Sequence, residues 1–196
     1  MAAAGRFEEK GTRYFRRPGR GNTADVLEAA AARAEELGIA SVIVPSVSGR
    51  TALAARRVFG PRVRVIAVTH VAGFERPDRQ EMTQAARRRL EKAGIAVFTG
   101  QHAFGGVGRA VRNKLGTYQV DEIMAYTLRT FGQGTKVAVE VALMTADAGL
   151  VRTGEDVIAL GGTYEGVDTA LVLRPANSAR FFDLKVRELI CKPRDF

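Results

Sequence analysis

A strand–loop–helix pattern between residues 41 and 59 constrains the fold of this chain more than any other feature. The apolar, β-branched run at 42–44 is typical of a buried strand, and the alanine-rich run at 52–59 is typical of a helix. The loop Ser-Val-Ser-Gly-Arg-Thr at 46–51 joins them directly. A strand that passes straight into a helix is the repeating unit of sheets with helices on their faces, so we expect an α/β fold.

The loop at 46–51 has the chemistry of an anion site. The first N–H groups of a helix have no intrahelical partner and carry partial positive charge, so they can receive a phosphate. Ser46, Ser48 and Thr51 add hydroxyl groups, Gly49 lets the backbone approach closely, and Arg50 can donate two parallel hydrogen bonds. The plainer alternative is that Ser48 only caps the helix and Gly49 only makes the turn.

Helix and strand patterns continue to alternate through the first half of the chain. Apolar residues recur at helical spacing, and Gly or Pro marks the ends of the segments. The patterns predict helices at 22–37, 51–59 and 77–93 and strands at 41–45, 63–69 and 95–99. This order predicts a three-layer αβα sandwich around a mostly parallel, doubly wound sheet.

The second half is less regular. We expect helices at 103–115 and 120–131, and strands at 136–143, 156–160, 169–173 and 186–191. The strand at 136–143 follows from the alternation of valine with other residues, and within it Glu140 is expected to be exposed or paired. No linker divides the chain, so we expect one domain over 1–196, with 1–15 as a flexible or peripheral segment.

Two blocks of the sequence resemble the C-terminal domain of pyruvate kinase. The first is Val-Ile-Val-Pro-Ser-Val-Ser-Gly-Arg-Thr-Ala at 42–52, followed by Arg-Val-Arg-Val-Ile-Ala-Val-Thr at 62–69. The second is Gly-Glu-Asp-Val-Ile-Ala-Leu-Gly-Gly at 154–162, followed by Gly-Val-Asp-Thr-Ala-Leu-Val-Leu at 166–173. The resemblance implies the same strand order and a loop that holds the phosphate of a sugar-phosphate effector in many members.

The resemblance also bears on activity. A chain of 196 residues cannot hold the catalytic barrel of pyruvate kinase beside this domain, so we do not expect the kinase reaction. The chain is more similar to small stand-alone archaeal and bacterial proteins of the same superfamily, some of which are associated with FMN. The resemblance therefore implies FMN as a ligand, and a flavin-dependent oxidoreductase as one activity.

Unusual residues follow several of the predicted strands. In an open parallel sheet the ligand lies at the carboxyl ends of the strands, where the strand order reverses. We expect the FMN phosphate at 46–51 and the ring system toward Thr69, His70 and the glycines at 161–162. His70 or His102 would be the proton donors if the protein is an enzyme. Asp168 and Thr169 either hold a ligand hydroxyl or cap a turn. The candidate ligand residues are Ser46, Ser48, Gly49, Arg50, Thr51, Thr69, His70, Gly73, His102, Gly161, Gly162, Asp168 and Thr169.

Composition limits the classes of binding partner, cellular location and cofactor that we expect. The net charge is +9, but the basic residues are spread along the chain, so an anionic phosphorylated small molecule is favoured over nucleic acid. No run approaches the length of a membrane span, and no apolar signal is present at the N-terminus, so we expect a cytoplasmic protein. One cysteine and two histidines make a metal site improbable. A non-catalytic module that senses a phosphate, acting alone or in a homo-oligomer, is the alternative to an enzyme.

Overall fold

A mixed sheet with helices on both faces organises the chain, and the predicted α/β class is confirmed. The computed structural model describes residues 7–196. The strands are β1 (Arg13–Phe15), β2 (Ser41–Pro45), β3 (Arg64–Thr69), β4 (Ala96–Thr99), β5 (Val157–Gly161), β6 (Thr169–Arg174) and β7 (Lys185–Pro193). The α-helices are α1 (Thr23–Leu37), α2 (Arg50–Phe59), α3 (Gln84–Lys92), α4 (Val107–Leu115), α5 (Val120–Arg129) and α6 (Gln133–Asp147), and short 3-10 helices cover Arg20–Asn22 and Ser178–Asp183.

The sheet is mostly parallel. Its strand order is β1-β7-β6-β5-β2-β3-β4, and β6 is antiparallel to both of its neighbours. The chain proceeds from β2 outward to β3 and β4, and β5, which is parallel to β2, lies on its other side. The strand order therefore reverses between β2 and β5, which is where an open α/β sheet forms a crevice.

Alternate residues of the strands supply two separate cores. Val42 and Val44 belong to the cluster that packs against α1, α2 and α3, which includes Leu90. Ile43 and Ile66 belong to the cluster on the opposite face, which includes Leu143 of α6. Side chains of a strand point alternately to the two faces of a sheet, so a strand that is apolar at every position is buried on both sides.

The predicted strand at 136–143 is wrong, because these residues lie within helix α6. This helix packs against β2, β5 and β6 on one side and against α5 and the 3-10 helix Ser178–Asp183 on the other. It is buried nearly all round, so apolar residues occur on every face and the helical period is hidden in the sequence. Glu140 was expected to be exposed or paired, and it is paired with Lys136.

Two other helices begin later than predicted. The predicted helix 77–93 starts at Gln84, where the Thr83 hydroxyl accepts a hydrogen bond of 3.1 Å from the Ala86 N–H. Asp78 has φ of 61°, a left-handed conformation that does not continue a helix. The predicted helix 103–115 starts at Val107, after Gly106 with φ of 59°.

The N-terminal segment contributes a strand at the edge of the sheet. Strand β1 pairs in parallel with β7, so part of the segment that we expected to be peripheral is hydrogen-bonded to the sheet. The first six residues lie outside the described part of the chain. Over residues 7–196, the helices are too short or too polar to cross a lipid bilayer.

Candidate functional site

The carboxyl ends of β2, β3 and β4 lie side by side. The register pairs Pro45 with Val68 and Thr69 with Thr99, and neighbouring strands are about 4.8 Å apart. The fold therefore brings the loop after β2, His70 after β3 and the segment after β4 to one edge, as the sequence predicted. Gly161, the last residue of β5, completes this edge on the other side of β2.

The loop at 46–51 is held by its own hydrogen bonds. Ser46 is buried; its N–H donates to Val68 O at 2.9 Å, and its hydroxyl accepts from Ala52 N–H at 3.4 Å. Gly49 precedes α2 with φ of 83°, a conformation that favours glycine. The hydroxyl of Ser48 accepts a hydrogen bond of 3.4 Å from the Arg50 N–H. Ser46 thus shapes the loop, whereas the exposed side chains available to a ligand are those of Ser48 and Arg50.

Two arginines converge on one carboxylate beside this loop. Glu165 Oε2 lies 3.6 Å from Arg50 and 3.3 Å from Arg20, and all three side chains are mostly exposed. Exposed ion pairs contribute little stability, so a phosphate can compete with Glu165 for both guanidinium groups. Arg20 and Glu165 are not among the ligand residues predicted from the sequence, because nothing in the spacing of residues so far apart signals that they meet.

His70 and His102 lie close together, and Phe74 packs against both rings. The ring centroids of His70 and His102 are 5.4 Å apart; Phe74 lies 4.2 Å from the first and 5.0 Å from the second, inclined by only 15° to the His102 ring. Nδ1 of His70 pairs with the Glu81 carboxylate. The segment between β3 and α3 therefore folds back over both histidines.

A buried ion pair lies behind His102. On α6 the ammonium of Lys136 donates a hydrogen bond of 2.5 Å to Glu140 Oε2, and Glu140 Oε1 accepts one of 3.0 Å from Phe104 N–H. Nδ1 of His102 lies 3.8 Å from Glu140 Oε2. Burial alone would raise the pKa of Glu140, but the neighbouring His102 ring and Lys136 ammonium prevail and lower the pKa to about 2. Desolvation lowers the pKa of Lys136.

Several buried polar atoms at this edge have no partner in the described part of the chain. They are the hydroxyls of Thr69 and Thr163 and Nε2 of His102. Most buried polar groups in proteins are hydrogen-bonded, so exceptions near strand ends call for an explanation. Unmet hydrogen-bonding capacity at the ends of β3 and β5 fits a polar ligand.

The family model described as "Pyruvate kinase, alpha/beta domain" matches residues 24–173 of the sequence. The chain belongs to this family. Among solved structures, it is similar to a pyruvate kinase from Cryptosporidium parvum, with 15% sequence identity and a TM-score of 0.37. That match covers 75% of this chain and 22% of the other, so the chain corresponds to about a fifth of that protein.

The matched range contains Asp168, whose carboxylate accepts hydrogen bonds from other groups of the protein. Its side chain is fully buried; Oδ2 accepts from Gly19 N–H at 2.9 Å and Thr163 N–H at 3.1 Å, and Oδ1 accepts from the Thr169 hydroxyl at 2.9 Å. Of the two alternatives for Asp168 and Thr169, the structure therefore displays the turn-capping contacts. A ligand contact by either residue stays a prediction.

The glycines at the end of β5 and directly after it permit close packing. A Cβ atom on Gly161 would lie 1.8 Å from Gly134 O at the start of α6, and one on Gly162 would lie 2.4 Å from Gly166 O. The amino end of α6, which carries partial positive charge, thus abuts the end of β5. Gly73 is exposed, with φ of 83°, and its N–H donates to Arg79 O at 2.9 Å, which closes the loop between these two residues.

A separate cavity of about 630 Å³ lies between α4, α5 and the 3-10 helix Ser178–Asp183. Its walls are mainly apolar and include Phe104, Met124 and Phe181. It contains none of the candidate ligand residues. Among the described residues, no three His, Cys, Asp or Glu side chains are grouped as a metal ion would require.

Proposed function

We propose that the chain binds a phosphorylated small molecule at the carboxyl edge of the sheet, with its phosphate at the loop 46–51. The observation that carries this proposal is the convergence of Arg50 and Arg20 on the exposed Glu165 carboxylate beside the glycine-capped start of α2. Arginine binds phosphate oxygens through paired hydrogen bonds, so two guanidinium groups at a helix start suit a phosphate.

FMN is the first ligand to test. Its phosphate would contact Ser48, Arg50 and Thr51, and its polar ring edge would meet the unpartnered hydroxyls of Thr69 and Thr163. FMN supplies electron-transfer chemistry when it is bound, while the protein positions it. The ring pair His70 and His102 would lie beside the same edge, which favours an enzyme over a purely regulatory module.

A sugar phosphate or nucleotide is the alternative ligand, bound by a module that senses it without chemistry. This alternative is supported by Arg50, whose guanidinium is largely exposed and addresses a phosphate whatever group carries it. Nucleic acid is a weaker candidate, supported by the net charge of +9. Binding of nucleic acid would lose affinity steeply as the salt concentration is raised.

A titration tests the proposal. Purified protein is titrated with FMN by absorbance and fluorescence, for the wild type, Arg50→Ala and Ser48→Ala. A lost charge-assisted hydrogen bond costs about 1.5–3 kcal/mol, so we expect affinity to fall about tenfold or more in Arg50→Ala. Arg57→Ala, an exposed arginine in the last turn of the same helix, is the matched control and should bind as the wild type does.

The outcomes separate the ligands. Saturable FMN binding that Arg50→Ala weakens and Arg57→Ala does not supports the flavin. If FMN does not bind but glucose 6-phosphate raises the melting temperature in an Arg50-dependent way, the sensing module is the better account. Binding that is equal in all variants would rule out this loop as the phosphate site.

A further inference from the structure

The two ring nitrogens of His102 have different surroundings. Nδ1 lies 3.8 Å from the Glu140 carboxylate and is therefore the ring nitrogen beside the negative charge. Nε2 is buried and has no partner in residues 7–196. A carboxylate beside one nitrogen favours the proton on that nitrogen, which leaves a free electron pair on the other.

Glu140 is well suited to fix the ring. Its two oxygens are held by the Lys136 ammonium and the Phe104 N–H, so the carboxylate cannot turn away from His102. The side chain of Glu140 is almost fully buried, and its lowered pKa keeps it ionised at neutral pH. An ionised carboxylate stabilises the imidazolium that forms when His102 gains a proton.

The charged groups around His102 come from several elements. Lys136 and Glu140 lie on α6, Arg109 on α4 approaches the Phe74 ring at 5.8 Å, and Arg109 and Arg129 both act electrostatically on Lys136. Glu81, on the segment after β3, is paired with His70. The cations in this group are Arg109, Arg129 and Lys136, and the carboxylates are Glu81 and Glu140. The excess of positive charge favours an anionic ligand.

Phe74 covers His102. Its ring is stacked on the imidazole at 5.0 Å, yet 40% of Phe74 is exposed to solvent. The segment that carries it is mostly exposed and turns at Gly73 and Asp78, both with positive φ. A displacement of this segment would uncover the imidazole without disturbing the sheet.

We propose that His102 is an acid–base residue whose Nε2 takes a proton from an anionic small molecule bound at the carboxyl edge of the sheet. The ligand's bond to hydrogen breaks, its electron pair stays on the ligand, and an N–H bond forms at Nε2. The Nδ1 proton stays on the His102 ring, and the ionised Glu140 carboxylate beside it balances the imidazolium charge. The reverse step returns the proton, so no oxidant or other co-reactant is needed. The anionic ligand class rests on the proposed function, whereas the orientation of His102 does not.

NMR of the ligand-free protein tests the orientation. Long-range ¹H–¹⁵N spectra of ¹⁵N-histidine-labelled protein report which nitrogen of each neutral ring carries the proton. The chain has two histidines, and His70→Asn assigns their signals. We expect the neutral His102 to carry its proton on Nδ1, and a mixture of both forms in Lys136→Met/Glu140→Gln. The double variant avoids a buried lysine without its carboxylate. A proton on Nε2 in the wild type would overturn the proposal.

Alkylation by bromoacetate tests the reactivity of Nε2 of His102. Nε2 attacks the methylene carbon, an N–C bond forms, bromide leaves, and peptide mapping locates the product. We expect His102 to be carboxymethylated at Nε2 with a rate that saturates with bromoacetate. Phe74→Ala should react at least threefold faster, and Lys136→Met/Glu140→Gln about tenfold more slowly. His102 left unmodified in both the wild type and Phe74→Ala, or modified without saturation at the rate of His70, would overturn the proposal.

These tests are independent of the phosphate loop. If the NMR and alkylation results are as expected while FMN and glucose 6-phosphate fail to bind, the phosphate proposal is wrong, and the orientation and reactivity of His102 stand. If Arg50-dependent binding is found but His102 carries its proton on Nε2, the reverse holds.

Discussion

Lys136 and Glu140, one turn apart on α6, form an ion pair of 2.5 Å whose side chains are only 7% and 5% exposed. Both charges are desolvated, because α6 is buried along nearly its whole length. A buried charge is tolerated only when it is paired and hydrogen-bonded. Each side chain of the pair therefore stabilises the core only while the other is present.

Replacing Glu140 by Ala should destabilise the protein by about 3–5 kcal/mol, because it leaves the Lys136 ammonium buried without a counter-charge. The measurement is the free energy of unfolding in urea. Lys136→Met/Glu140→Leu is the control and should lose much less, since it removes both charges. Equal losses in the single and double variants would contradict the account.

Stability should fall as the pH drops from about 4.5 to about 2. The fold lowers the pKa of Glu140 to about 2 from an ordinary value of 4.5, so the contribution is complete above the unfolded pKa and disappears as the pH approaches the folded one. Its size is on the order of 3 kcal/mol. Urea unfolding across this range measures it. Lys136→Met/Glu140→Leu should show a flatter dependence, and an identical slope would argue against Glu140.

Removing the Asp168 carboxylate should destabilise the loops around the carboxyl edge. Asp168→Ala leaves the N–H groups of Gly19 and Thr163 without their acceptor, at a cost of about 2–3 kcal/mol. Thermal unfolding and amide hydrogen exchange at these two residues measure the effect. Asp195→Ala, an exposed position near the C-terminus, should change neither. Unchanged exchange at Gly19 and Thr163 in Asp168→Ala would contradict the assigned hydrogen bonds.

Adding one methyl group at Gly161 should be strongly destabilising. A Cβ there would lie 1.8 Å from Gly134 O, so α6 would have to move off the end of β5. Overpacking of this kind costs about 1–3 kcal/mol or more. The melting temperature of Gly161→Ala is compared with that of Gly154→Ala, where a Cβ meets nothing within 4 Å. Similar melting temperatures would show that α6 can move off the end of β5 at little cost in stability.

The single thiol should be unreactive in the folded protein. Burial raises the pKa of Cys191 to about 12, so almost no thiolate is present at neutral pH. A colorimetric thiol reagent should therefore report no reaction in buffer and one thiol in denaturing urea. Rapid reaction of the folded protein would mean that β7 opens locally.

The first half of the fold could be predicted because its signals are local. The strand at 41–45, the loop at 46–51 and the helix after it are each set by neighbouring residues, and the structure has them as β2, the loop and α2. The later start of α3 was missed because Pro77 and Asp78 are also good helix-start residues. Thr83 is an equally local cap signal. The helix begins there because the left-handed conformation of Asp78 does not continue a helix.

The candidate site was predicted only in outline. Its strand-end residues follow from the rule for parallel sheets, and the structure brings the loop after β2 and the two histidines to one edge. Lys136 and Glu140 could not be placed there, because their segment was expected to be a strand. Phe74 was missed because a single aromatic residue in a polar segment carries no positional signal.

The sequence by itself determined the α/β class, the family and the position of the loop at 46–51, since these depend on short-range patterns and on strand–loop–helix order. Only the tertiary structure decided that 133–147 is a helix, because burial on every side removes the amphipathic period from its sequence. It alone also placed Glu140 behind His102 and joined Arg20 to Arg50 through Glu165. Those contacts link residues far apart in the chain, and they exist only once the sheet has brought its strand ends together.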